Sequence, residues 1–425
     1  MPLKSKSKNW IILIFIISTF VPTFNKSIGS IGIGIVYVIT SLAIVVMCLS
    51  RGGKLKLHTG RESVSFYFLM ISLSWYGIVM LASAIFISDN LIVRDAYDIY
   101  RPIAYLLFVI APFFLVRTER DVQWIQIALV VCFLITCMLA VNQFLRWEDS
   151  ISLLYTKELN VTTRRLSAPF ANPYDMAYFM ALILPMAITG LYVSKSFMWL
   201  IVAVGSLLIL LFTQSRSVMG AVIVQIAIIL PLLLSTTKRS LGLVADTTAY
   251  AKFKLLIFVI ATVAGGVWFW ISYSSELGYL LSGFESVLSG QEIGSMTVRK
   301  VQLQETINRA AASLPVALFG NGPAKAEMEH VESIYVYFLF RYGITGFIFI
   351  FIIPFIISIF NLVISVRCIK YQHEYILVIG LLAWLLALPV ASIGNNFTEQ
   401  VRLSFFYYFA IGFSVRLKTI LNNRN

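Results

Sequence analysis

Within six residues, 327–332, the chain sets Glu327, Glu329, His330 and Glu332 directly before the long apolar run that opens with "SIYVYFLF". A carboxylate or an imidazole is the group that takes a proton from a hydroxyl. Neighbouring carboxylates raise one another's proton affinity, which suits a base. A second set is made of arginines: Arg164 and Arg165 in "TTRRLSAPFANPYDMAYFM", Arg216 in "FTQSRSVMGA", Arg299 in "VRKVQLQETINRAAASL", and Arg341 further on. A planar guanidinium holds phosphate or carboxylate oxygens two at a time. Together the two sets offer what displacement of an anionic leaving group by a hydroxyl requires. The departing negative charge is stabilised by fixed cations, and the attacking hydroxyl loses its proton to Glu332 or His330.

The elements that must position these residues are read from composition. Of the 425 residues, 59% are hydrophobic and only 12% are charged, and the mean hydropathy is +0.86. That lies far outside the range of soluble domains. Apolar runs of spanning length recur near 10–24, 27–50, 64–87, 101–116, 122–146, 175–193, 197–213, 217–235, 255–273, 334–365, 375–393 and 403–415. The expectation is an all-α polytopic membrane protein, a single integral membrane domain over 1–425 with about twelve transmembrane helices. Lys4, Lys6 and Lys8 ahead of "WIILIFIISTF" lack a small-residue cleavage site and another span follows, which favours a retained first helix over a signal peptide. Cys48, Cys132, Cys137 and Cys368 lie in or beside apolar spans, so neither a disulfide framework nor a metal site is expected.

With the N-terminus inside and twelve alternating spans, the inner segments carry 19 of the 33 Lys and Arg but 5 of the 20 acids. That is the positive-inside bias of a chain with both termini cytoplasmic. The net charge of +13 therefore reports topology, and no nucleic-acid partner is called for. The inner segments hold 11 Lys to 8 Arg, the outer ones 10 Arg to 4 Lys, and this excess of forks outside fits an anion held at the outer face. The bland alternative is pairing of these arginines with the outer acids.

Two outer loops are long, 147–174 and 274–333, and a sixty-residue insertion between spans points to external chemistry or binding. In the second, "VRKVQLQETINRAAASL" spaces Val298, Val301, Leu303, Ile307, Ala311 and Leu314 as an amphipathic surface helix that Pro315 ends, before the glycine turn "LFGNGP". The next helix is expected from about Val331 to Ser365. Glu332, Tyr335, Leu339, Gly343 and Gly346 then fall on one face, and Arg341 on the opposite one. Asn172 and Pro173 open the span at 175–193, and Arg216 centres an outer turn free of Gly, Pro and acid, which is read as an anion contact.

In their order, "RRLSAPFANPYDMAYF", "FTQSRS", Arg299 and "LFGNGPAKAEMEHVESIYVYFLFRYGITG" resemble the O-antigen polymerase and O-antigen ligase superfamily of bacterial envelope glycosyltransferases, over roughly residues 160–350. The resemblance implies a GT-C-like enzyme of the bacterial inner membrane. Its activity would be inverting glycosyl transfer at the periplasmic face from an undecaprenyl-diphosphate-linked oligosaccharide, without metal or other cofactor. It implies that Arg165 and Arg299 hold the diphosphate; the need to stabilise the departing charge adds Arg164 and Arg216 in support, with Asn172, Tyr335 and Arg341 as further supporting residues. The family's ligases carry a His-Asn-x-Tyr pattern ahead of the glycine matched by Gly343. This chain reads "ESIY" there, with Glu332 in the first position and Tyr335 retained, which favours polymerase over ligase. A chain-length regulator in the same membrane is implied as a partner. The rivals are an O-antigen ligase, a polysaccharide flippase or other transporter, which would carry ionisable residues inside its spans, and a purely structural membrane protein.

Overall fold

The computed structural model describes residues 4–24, 30–50, 60–87, 91–156, 159, 165–194, 196–236, 253–254, 256–260, 264, 267, 271 and 294–422. Arg164, residues 274–293 of the long loop and much of the expected span at 255–273 lie outside them. The regular elements are helical: α1 (Lys4–Phe20), α2 (Ser30–Ser50), α3 (Gly60–Phe86), α4 (Ala96–Leu115), α5 (Glu119–Leu145), α6 (Asp149–Leu153), α7 (Pro173–Val193), α8 (Met198–Thr213), α9 (Arg216–Thr236), α10 (Gly294–Ala312), α11 (Leu314–Phe319), α12 (Ile334–Gly346), α13 (Ile353–Val366), α14 (Gln372–Ala391) and α15 (Val401–Asn422). Among the described residues, seven helices are long and apolar enough to cross a membrane, and three more are apolar but shorter.

Backbone groups in hydrocarbon have no water to bond, so a chain this apolar satisfies them within helices. Burial sorts the helices by layer. Nearly all of α7, α14 and α15 is covered by other helices. Helices α2, α3 and α9 instead expose Leu42, Leu49, Ile71, Ile85 and Ile223, apolar surface of the kind that meets lipid. Helix α7 packs on α8 and α14, α14 on α9, and α15 on α4 and α13. At one end of the bundle Arg416 of α15 pairs with Glu62 of α3 at 2.8 Å and donates to the Val116 carbonyl at 2.7 Å. The chemistry-bearing residues gather at the other.

Local signals explain several boundaries. Asn172 caps α7, its side chain accepting from the Asp175 amide at 2.9 Å, with Pro173 in the first turn where its missing N–H is harmless. Pro315 acts in the same way. The surface helix ends at Ala312 instead, and Pro315 sits in the first turn of the short α11 after a break at Ser313.

The expected helix from Val331 to Ser365 departs from its reading twice. It begins at Ile334, so Glu332 stands in the preceding loop. It is also interrupted at Gly343, whose φ of 62° and ψ of −168° are not helical, and a π-helical turn, Phe347–Ile352, follows. The turn "FGNG" fills the interruption. Asn321 and Gly322 donate their amides to the carbonyls of Phe340 (2.7 Å) and Arg341 (3.0 Å), and Thr345 donates to Leu318 O at 2.6 Å. A Cβ on Gly343 would overlap the Leu318 backbone, and one on Gly320 (φ 77°) the Arg341 backbone. These glycines form a mutual backbone contact, where helical phase alone set Gly343 on the Glu332 face of a continuous helix.

Substituting Ala at Gly343 or Gly320 therefore combines a disfavoured φ with a backbone clash, a cost of roughly 1–3 kcal/mol or more. The expected result is a clearly lowered melting temperature of the purified protein in detergent. Gly77→Ala, where the new methyl meets only Pro102 Cβ at 3.9 Å, leaves it unchanged.

Candidate functional site

Three of the arginine-bearing segments converge on one connection, Ser392–Asn396 between α14 and α15. The loop before α7 is anchored by Gln143 of α5, whose side-chain oxygen accepts from the amides of Ser167 (2.9 Å) and Ala168 (3.0 Å). Leu166 donates to Phe212 O at 3.2 Å. Arg165 is thereby held against the end of α8, its Nε donating to the Thr213 carbonyl at 3.1 Å and its guanidinium 5.1 Å from the Tyr174 ring centre. The chain then turns on Gln214, in the left-handed region at φ 53°, and Ser215. Arg216 is the first residue of α9, and Ser217 packs directly on Gly394.

Arg299, on α10, reaches the same connection. Its Nη2 donates to Gly394 O at 3.0 Å, and its Nε lies 3.0 Å from Glu332 Oε2. Side-chain exposure is 22% for Arg299 and 37% for Glu332, so both side chains reach solvent in part, while the two facing atoms, Nε and Oε2, are covered. Gln302, one turn along α10, fixes the loop that carries Glu332: it accepts from the Glu332 amide at 3.1 Å and donates to His330 O at 2.7 Å. A guanidinium held on one edge by a carbonyl and on the other by a half-exposed carboxylate can exchange that carboxylate for another anion.

The acidic run does not form a carboxylate cluster. Glu327 pairs with Arg309, which also holds Glu305 at 2.6 Å, while Glu329 lies 3.8 Å from His330 and Glu332 faces Arg299. His330 is 86% exposed. Tyr335 donates to Pro389 O at 2.7 Å, a tie between α12 and α14.

Arg341 belongs to a different group, on the opposite side of α12 as its helical phase requires. Here Asp98, at the head of α4 ahead of its apolar run, meets Arg101, Lys325 Nζ at 3.2 Å and Arg341 at 3.9 Å. Arg101 also pairs with Glu399 at 3.3 Å, and Arg341 donates to Met328 O at 2.9 Å. Below them Tyr337, Tyr342 and Tyr76 are linked hydroxyl to hydroxyl. Burial alone would raise the Asp98 carboxyl, but Arg101, Lys325 and Arg341 outweigh it and hold it below the usual carboxylate range. Burial lowers the Lys325 ammonium, with Arg101 adding to the effect. Sequence reasoning did not find this group: Asp98 and Arg101 lie some 230 to 300 positions from Lys325, Arg341 and Glu399 in the chain.

Asp98→Asn would leave three buried cations facing one another. The expected loss is about 3–5 kcal/mol, read from unfolding of the detergent-solubilised protein, whereas Arg146→Ala at the exposed Arg146–Asp149 pair leaves stability unaltered. Comparison with models of known protein families and with curated proteins found no match.

Proposed function

We propose that this chain is a membrane glycosyltransferase of the O-antigen polymerase type. It passes a growing glycan from undecaprenyl diphosphate onto a new undecaprenyl-diphosphate-linked repeat unit. The reading puts about twelve spans in the bacterial inner membrane, both termini in the cytoplasm and the Arg299–Glu332 end at the periplasmic face. The observation that carries it is the Arg299 guanidinium, steered by the Gly394 carbonyl and faced by the partly exposed Glu332 carboxylate, with Arg165 and Arg216 on the adjoining loop and helix start.

In this mechanism the donor's diphosphate takes the place of Glu332 on Arg299. The acceptor hydroxyl attacks the anomeric carbon from the face away from the diphosphate. The bond from that carbon to the diphosphate oxygen breaks, its electron pair leaving with the oxygen, and the new glycosidic bond forms with inversion. Charge growing on the diphosphate is met by Arg299 and Arg165. The hydroxyl proton passes to the released Glu332, with His330 as the alternative acceptor.

A transport reading draws support from the ionisable residues buried around Asp98 and Arg101. One experiment separates the alternatives: gel banding of lipopolysaccharide from a deletion strain complemented at matched membrane levels. Polymerase function predicts that wild type restores the ladder while Arg299→Ala and Arg165→Ala leave core plus one repeat, their turnover down by about 10²–10³. Glu332→Gln has the same effect if it is the base, and His330→Ala then does not. A ligase would leave polymer on the lipid carrier and none on lipid A, and a transporter would leave unpolymerised repeat units inside the cell. A full ladder from Arg299→Ala would end the assignment of that residue to the diphosphate.

A further inference from the structure

Helix α10 carries Arg299 into the site, and it has three faces with different surroundings. At about 3.6 residues per turn, Arg299, Gln302, Thr306 and Arg309 fall on one side, and this polar side is the one turned to the protein. Arg299 donates to Gly394 O and Gln302 to His330 O, Arg309 pairs with Glu327, and Thr306 is buried. Met296, Leu303 and Ile307 share a second face and are 49%, 41% and 50% exposed. A third face is polar and exposed, with the Gln304 amide donating to the Asn308 side chain at 2.9 Å. The amphipathic helix expected from the sequence is therefore present, but its apolar stripe is turned away from the bundle.

What α10 and α11 touch sets the level of this stripe. The Arg309 guanidinium lies 5.7 Å from the ring centre of Phe340, in the second turn of Ile334–Val366, a segment long and apolar enough to cross a membrane. Phe319 O, at the end of α11, accepts from the Ser83 hydroxyl at 2.9 Å. Ser83 belongs to the last turn of α3, which contains a second segment of spanning character, Val64–Phe86. The pair α10–α11 thus runs beside the ends of two such segments instead of standing clear of them. The surface of those segments near the pair is apolar and uncovered, at Leu81, Ile85 and Phe86 of α3 and at Ile344 and Ile348, and Leu314 opens α11 in the same exposed state. Lipid covers a belt of this kind. A helix with one apolar face against acyl chains, and an amide face beside it in water, has the division of a helix lying in the interface.

We infer that α10 is seated on the bilayer, its Met296, Leu303 and Ile307 face lying in the boundary between phospholipid headgroups and acyl chains. The lipid surface then fixes the height of Arg299, because the adjoining polar face binds the same helix to the loop that carries Glu332. This depends on the chain being embedded in a membrane and not on the glycosyl-transfer reading. The test places the photo-crosslinking residue p-benzoylphenylalanine singly at Leu303, Ile307, Asn308 and Ile223 of the full-length protein. Each variant is irradiated in nanodiscs of phosphatidylethanolamine and phosphatidylglycerol, and its adducts are identified by mass spectrometry. Ile223, exposed on α9, is the control for a lipid-facing position. Leu303 and Ile307 should give phospholipid adducts in a yield like that of Ile223, and Asn308 should give none. All four positions are exposed, and a melting temperature equal to that of wild type qualifies each variant; should one of Leu303 and Ile307 fail, the other decides. Adducts from Leu303 and Ile307 to another part of the chain or to a second copy, no adduct where Ile223 gives one, or equal lipid adducts from Asn308 would each overturn the seat.

Discussion

The short connection between α14 and α15 is the constraint on which the rest of this end of the bundle depends. A buried carbonyl must find a donor, and here the donors come from four separate parts of the chain. Ser392 O accepts from the Ile334 amide at the start of α12, and Gly394 O from Arg299 of α10. Asn395 O accepts from the Tyr178 hydroxyl of α7 at 3.2 Å, and Thr398 O from Tyr105 of α4. A few residues therefore set the positions of helices that are remote in sequence. The aim of Arg299 is fixed by a peptide group that mutation of side chains cannot remove.

Charge is used at both ends of the bundle in the same structural manner. Arg416 and Glu62 join α15 to α3 at one end, with exposures of 1% and 0% for their side chains. The Asp98 group joins α4, the loop after α11, α12 and the last connection at the other. Desolvating such groups costs more than a simple apolar contact, but an alternative packing would leave several of them without partners. The half-exposed Arg299–Glu332 pair is of another kind, since both partners remain within reach of solvent. That contrast separates a lock from a place where one anion can be exchanged for another.

Much of this was legible in the sequence because hydropathy and helix chemistry are local. Among the described residues the apolar runs became helices, Asn172 and Pro173 opened α7, and the two-residue turn before Arg216 appeared where polar residues interrupt grease. The convergence of Arg165, Ser217 and Arg299 was partly legible as well, since positive-inside counting put their loops on one face. Three things were not. The break at Gly343 sits inside an apolar run long enough to read as one continuous helix, and its cause is a loop more than twenty positions earlier. The role of "SIGNN" lies in its carbonyls, which no residue type advertises. The Asp98 group depends on pairings that only the folded bundle creates, so its members read singly as ordinary boundary charges.

The contact between Gly320 and Gly343 also bears on how such a protein could be recombined with a relative. Helix α12 does not close its own hydrogen-bond ladder at Phe340 and Arg341, because Asn321 and Gly322 complete it. A transplanted outer loop with a different turn would arrive without those two amides, and a transplanted helix without its interruption would collide with the loop. The module that can be exchanged is thus the whole stretch from α10 through α12, half of it outside the apolar layer and half within, and natural or designed chimeras with crossover points inside it would be selected against.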